Sequence, residues 1–256
     1  MLARDDFLTN LLQLDVKLGE HRLKLPLLYR DASSVTVIFP ARARAVAALL
    51  PSRALHPTPL APGVAAVAVT FFEYRDTDIG PYNELAVSIP AVHARRPIPG
   101  WTVAQQLRRG TIHAWIQQLP VTTEVARVGG VEIYGYPKIV ADIDYRTEER
   151  RFSGALHHEG RRVMGLSGEL PEAEQLDVPI RYVTYAERGG RLLEAQVLMH
   201  ADTVATGYRA RGMQLDLDEQ HPIGAELGGL LLRRQPLYVQ HISRFRSILH
   251  APSYLE

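Results

Sequence analysis

At 256 residues, 46% of them hydrophobic and 22% charged, the chain has the composition of a globular protein able to bury a full core. A formal charge of +1 gives no electrostatic case for nucleic acid or an anionic membrane as partner, and the lack of cysteine excludes disulfides, thiolate nucleophiles and zinc-ribbon sites. No stretch approaches the roughly eighteen apolar residues of a membrane span, and the N-terminal residues lack the apolar core of a signal peptide, so a cytoplasmic location is expected.

The predicted elements are mostly strands. Residues 22–31 and 33–41 are short apolar or alternating runs broken by Pro, Asp and Ser. Residues 42–52 have helical spacing and stop at Pro51, and "PTPLAPG" (57–63) is a loop signal. A long strand over 64–76 turns through "TDIGPYNE" into another from Leu85. Residues 102–111 are predicted helical and lead into a strand from Ile112. Residues 139–170 and 181–217 read as successive strands with charged turns and a Gly189–Gly190 hairpin signal, and 222–235 as one short helix. Strands outnumber helices without βαβ alternation. The prediction is a mainly β chain with a few short helices (α+β), an antiparallel barrel or sandwich forming a single domain over 1–256.

The familiar motifs are missing. His157 and His158 face opposite sides of a strand and cannot chelate together. "GLSGEL" lacks the spacing of a nucleophile elbow, and "RVGGVEIYG" lacks the dinucleotide fingerprint.

Lysine usage is the stronger signal. The chain holds twenty-six arginines and three lysines, Lys17, Lys24 and Lys138. Lys138 lies in "EIYGYPK", where Pro137 fixes the backbone, Gly135 permits close approach, and Tyr134, Tyr136, Ile139 and Val140 are placed to wall in an amine. A free lysine, with a pKa of about 10.4, is a neutral amine in roughly one molecule in a few thousand at pH 7. Removal from water disfavours the ammonium and lowers that pKa. The competing reading is a stem packed on tyrosine with its head in water. The local sequence leaves both open.

Two further features concern the same chemistry. In "FFEYRDTDIGPYNE", Glu73 and Glu84 flank a turn and can meet across a hairpin, where acids serve imine chemistry by moving protons. In "EHRLKLPLLYRDA", Arg22 and Arg30 offer either a carboxylate clamp or an edge-strand charge.

Together, "EIYGYPK", "YRDASSVTVIFPA" and "DTDIGPYNELAVSIP" resemble the acetoacetate decarboxylase family over about residues 15–145, and more loosely beyond. The resemblance implies an antiparallel β-barrel and a Schiff-base lysine at Lys138, activated by desolvation or a neighbouring cation. It implies Glu84 as the proton shuttle, Arg22, Glu73 and Tyr136 as substrate-binding residues, and no metal or organic cofactor. Counting back from Glu84, the family's second glutamate falls on Thr70 with one deleted residue, while Glu73 needs a larger deletion. Ile139 stands where characterised decarboxylases carry a second lysine. The expected function is cofactor-independent decarboxylation of a small β-keto acid, in a homo-oligomer. The alternatives are a Schiff-base aldolase or dehydratase acting on pyruvate-like oxo acids, and a non-catalytic barrel that binds a small molecule.

Overall fold

The computed structural model describes residues 7–174, 178–208 and 212–255. Residues 1–6, part of the stretch read for a signal peptide, lie outside these, as do 209–211 of the long run read as strands.

The chain opens with β1 (Leu14–Leu18), β2 (His21–Leu25) and β3 (Leu27–Arg42), followed by the helix α1 (Ala43–Leu49). Next come β4 (Leu55–Pro57), β5 (Pro59–Ala61), β6 (Val64–Thr77), β7 (Tyr82–His93), α2 (Trp101–Arg109), β8 (Thr111–Gln118) and α3 (Glu124–Tyr134). The middle of the chain forms β9 (Asp142–Glu148), β10 (Arg151–His158), β11 (Arg161–Glu169) and the short β12 (Ala173–Glu174). It ends with β13 (Val178–Arg188), β14 (Arg191–Tyr208), β15 (Gln214–Leu217), α4 (Pro222–Leu230), β16 (Tyr238–Leu249) and β17 (Ser253–Tyr254).

Seven strands close into a barrel in the order β3, β6, β7, β8, β13, β14, β16 and back to β3. The pairings are antiparallel except at one seam, where β8 and β13 run parallel with Thr111 opposite Arg181. A parallel pair needs a long crossover, and the chain between β8 and β13 supplies it, carrying α3 and the sheet strands β9–β11 on the way. That sheet has the order β15-β11-β10-β9. Strands β1 and β2 form a separate hairpin, paired with no other described strand.

Side chains alternate across each barrel strand, which gives two cores. Leu85, Val87 and Ile89 of β7, with Val67, Val69 and Phe71 of β6, face outward and pack with Ile143, Phe152, Leu156 and Leu166 of the smaller sheet. The inner cluster draws on every barrel strand: Tyr29, Tyr74, Ala86, Ile116, Ala186, Ala195 and Phe245 all belong to it. Among the described residues no helix is long and apolar enough to cross a membrane.

The expected helices over 42–52, 102–111 and 222–235 appear as α1, α2 and α4. The run over 22–31 is divided at Pro26 between β2 and β3. Helix α3 was not anticipated. Its Gly129 and Gly130 and its β-branched Val125, Val128, Val131 and Ile133 all weaken a helix, and tertiary packing overrides that preference here.

Candidate active site

The segment that carries Lys138 is built by the end of α3. Gly135 caps the helix in the left-handed region, at φ 66°, and its neighbour Tyr136 donates its N–H to the Gly130 carbonyl at 3.0 Å. A side chain at 135 would also meet the Glu187 carbonyl, 2.8 Å from where its β-carbon would stand. Glycine is therefore required on two counts. Pro137 cannot continue the helix. The Lys138 N–H turns back to the Tyr136 carbonyl at 2.8 Å, and the chain then runs extended.

Val121 joins this segment to the rest of the site. On one side its N–H and carbonyl bond Ile139 and Ala141, both at 2.9 Å; on the other it bridges to Glu84. Lys138 and Glu84 thus arrive from opposite sides of a single extended strand. Lys138 Nζ donates to Glu84 Oε2 at 2.7 Å, with the two side chains only 7% and 8% exposed.

The surroundings are tyrosines. Tyr74 donates its hydroxyl to Glu84 Oε1 at 3.4 Å, and the Lys138 ammonium lies 5.7 Å from the centre of the Tyr82 ring. Tyr29 and Tyr82 share a hydrogen bond of 3.2 Å, and Tyr136 one of 2.6 Å with Thr184. Burial, and after it the Glu84 charge, pushes the phenols of Tyr29 and Tyr74 well above their usual range. Tyr82 is raised too, by burial and then by Tyr29 and Glu84. All three are neutral O–H donors at any working pH.

Beside the pair runs a narrow slot between the β1–β2 hairpin and α3. Leu23 and Leu25 of the hairpin face Val125, Gly129, Gly130 and Ile133 of the helix, with Tyr29, Tyr82, Tyr134, Tyr136 and Lys138 at the polar end. Its free volume is about 20 Å³, room for about one water. Of the described residues lining it, Lys138 is the one that carries a charge.

Lys138, Glu84 and Tyr136 are therefore brought together. Glu73 is not, and the expectation for it is corrected by hairpin register. Glu84 pairs opposite Phe72 and Glu73 opposite Asn83, so the pleat sends the two carboxylates to opposite faces. Glu73 lies on the outer face, held by Arg75 at 2.6 Å. Thr70 does occupy the inner face, bonded to Thr36 at 3.0 Å. Arg22 is exposed on β2, next to the inward Leu23, and does not line the slot; this is the second correction. Arg30 is bound to Asp78 at 2.5 Å. Gly130 and the trio Tyr29, Tyr74 and Tyr82 were missed. The pairing of Tyr74 with Tyr82 across the β6–β7 turn was the available signal for two of them.

The family model described as acetoacetate decarboxylase (ADC) matches residues 19–227, most of the chain. The chain belongs to the acetoacetate decarboxylase family. No curated protein sequence matches it. Among solved structures it is similar to acetoacetate decarboxylase from Legionella pneumophila, at 15% identity and TM-score 0.65, covering 90% of this chain and 87% of that one. It is also similar to the enduracididine biosynthesis enzyme MppR complexed with pyruvate, at 18% identity and TM-score 0.64, covering 91% and 92%. An acetoacetate decarboxylase-like enzyme from Sphingomonas wittichii RW1 matches at 14% identity and TM-score 0.59, covering 90% and 92%. At these identities the likeness is one of fold, and the barrel of the acetoacetate decarboxylase family is the fold seen here.

Proposed function

We propose that this chain is a lysine Schiff-base enzyme that decarboxylates a small β-keto acid. The observation that carries the reading is the 2.7 Å contact between Lys138 and Glu84, buried together inside the barrel. Glu84 takes a proton from the Lys138 ammonium, and the freed amine attacks the ketone carbon. Loss of water from the carbinolamine gives a protonated imine. The bond to the carboxylate then breaks, its electron pair flows into the imine, and carbon dioxide leaves behind an enamine. Glu84, which gave the proton from the ammonium to the departing water, takes another from solvent and delivers it to the α-carbon, and water hydrolyses the product imine. General acid–base catalysis of this kind contributes roughly 10²–10⁴ in rate.

The walls of the slot favour decarboxylation. No guanidinium lines it among the described residues. A carboxylate inside it gains little ground-state stabilisation, which would otherwise raise the barrier to its departure. The apolar side chains of Leu23, Leu25 and Ile133 suit an alkyl substituent on the ketone. The β1–β2 hairpin, which forms one wall of the slot, pairs with no other described strand.

A pyruvate-type aldolase or dehydratase is the second reading. It is favoured by Ile139 in place of the second lysine and by the likeness to MppR, whose structure holds pyruvate. Borohydride reduction with a panel of 2-oxo and 3-oxo acids, followed by mass spectrometry, tests both. The expected result is a stable adduct on Lys138, preferentially with 3-oxo acids, and none on the Lys138→Arg protein, because arginine does not deprotonate. An adduct on Lys17 or Lys24, or on no lysine, would remove the Schiff-base reading. An adduct formed with pyruvate alone would replace the decarboxylase by the aldolase or dehydratase.

A further inference from the structure

Tyr134 is the last residue of α3, is 3% exposed and lines the slot beside Lys138. Its ring stacks on that of Tyr136, with centroids 5.3 Å apart and planes 8° from parallel, so it is held firmly. Its hydroxyl is buried and has no hydrogen-bond partner among the described residues. The other hydroxyls of the slot are engaged: Tyr29 with Tyr82, and Tyr136 with Thr184. Leaving a buried hydroxyl unsatisfied costs stability, and native proteins do so rarely. Phenylalanine would fill nearly the same volume without that cost. Burial, and then Tyr136, pushes the phenol up, so it stands as a neutral donor.

We propose that the Tyr134 hydroxyl donates a hydrogen bond to the carboxylate of the oxo acid held by Lys138, and so positions the group that leaves. This rests on the imine reading above. Once the amine is consumed in the imine, Tyr134 carries the slot hydroxyl that is paired with no described residue, while Tyr29 and Tyr82 are paired with each other and Tyr136 with Thr184. A single neutral donor suits the reaction, because the breaking bond must lie across the imine plane. A phenol orients the carboxylate without the strong ground-state grip of a charge-assisted bidentate pair. As the carbon–carbon bond breaks, its electrons enter the imine, carbon dioxide departs, and the phenol keeps its proton.

The test compares acetoacetate with 4-methyl-2-pentanone, a neutral ketone of the same shape, in borohydride trapping. Tyr134→Phe is expected to raise the half-saturating acetoacetate concentration roughly tenfold, the worth of about one hydrogen bond. Half-saturation by the neutral ketone should stay within about twofold, and the melting temperature should hold or rise as the orphaned group is removed. Equal effects on the two ligands, or none on acetoacetate, would overturn the assignment. The wild-type protein gives a second measure that needs no variant: acetoacetate must half-saturate at the lower concentration, and the reverse order also overturns it. Failure of the wild type to trap either ligand would instead bring down the imine reading itself.

Discussion

Lys138 crosses α3 at Gly130, its Cγ lying 3.1 Å from where a β-carbon on that glycine would stand and its Cδ and Cε closer still. The absence of a side chain at 130 is what lets the lysine stem pass from the surface turn at Pro137 to Glu84 in the interior.

Gly130→Ala therefore sets two effects against each other. Alanine favours the helix by about 1 kcal/mol, while its methyl displaces the lysine stem. A shift of about 1 Å in a reacting group costs roughly 10²-fold in rate. The expected protein folds but is less stable, because shifting the stem disturbs the buried pair by more than the helix gains, with trapping and turnover down by about that factor. Wild-type rates in Gly130→Ala would mean that the stem takes another path.

The buried pair makes a prediction about stability. Removing one member leaves the other charge uncompensated in the interior, at a cost of about 3–5 kcal/mol. Lys138→Met, which keeps the stem, and Glu84→Gln, which keeps the shape, should each destabilise the fold, Glu84→Gln less if its amide retains a hydrogen bond to Tyr74. The double variant should regain a large part of the sum of the single losses, as read from urea denaturation. Strict additivity would show that the two side chains do not interact in solution.

A rare amine behind proline marked Lys138 as a candidate in the sequence, and it was the family resemblance, not residue chemistry, that preferred Glu84 to Glu73. What decided the other positions is not local. Glu73 and Glu84 look equivalent on either side of "YRDTDIGPYN", and only the pairing register, Phe72 with Glu84, tells which one points inward. Arg22 alternates with Leu23, and only the docking of the hairpin on α3 decides which of them faces the slot. The tyrosine shell is completed when Tyr29 of β3 meets Tyr74 and Tyr82 of the β6–β7 hairpin, bonding Tyr82 across 53 residues of sequence. The mainly β character was visible in the strand patterns; the parallel seam was not, since no strand advertises its partner.

The tyrosines also predict how the protein responds to alkali. Burial first, and then Glu84 or a neighbouring phenol, raises Tyr29, Tyr74 and Tyr82 well above the usual value. In the unfolded chain these phenols lose protons near pH ~10. Above that pH the unfolded state binds fewer protons than the folded one, so stability falls as pH rises. Denaturation midpoints should hold up to about pH 10 and then drop steeply, with tyrosinate absorbance appearing together with unfolding. Tyr29→Phe should flatten the drop. A midpoint unchanged well above pH 10, or tyrosinate appearing in the folded protein, would contradict the buried assignment.

The parallel seam has a consequence for the order in which the enzyme can come into being. It joins Thr111–Trp115 to Arg181–Tyr185, and Lys138 is carried on the chain that spans the two. The walls around the amine arrive from beyond the seam: Thr184 bonds Tyr136, and Glu187 packs against Gly135. Contacts this distant in sequence form slowly, because loop closure precedes any gain from them. A ribosome-bound chain that stops before β13 already holds Lys138, Glu84 and the Val121 strand between them, but no ring encloses them. The enclosed Lys138–Glu84 pair is thus a property of ring closure: an unfinished chain carries both residues without the barrel that shuts them away from water.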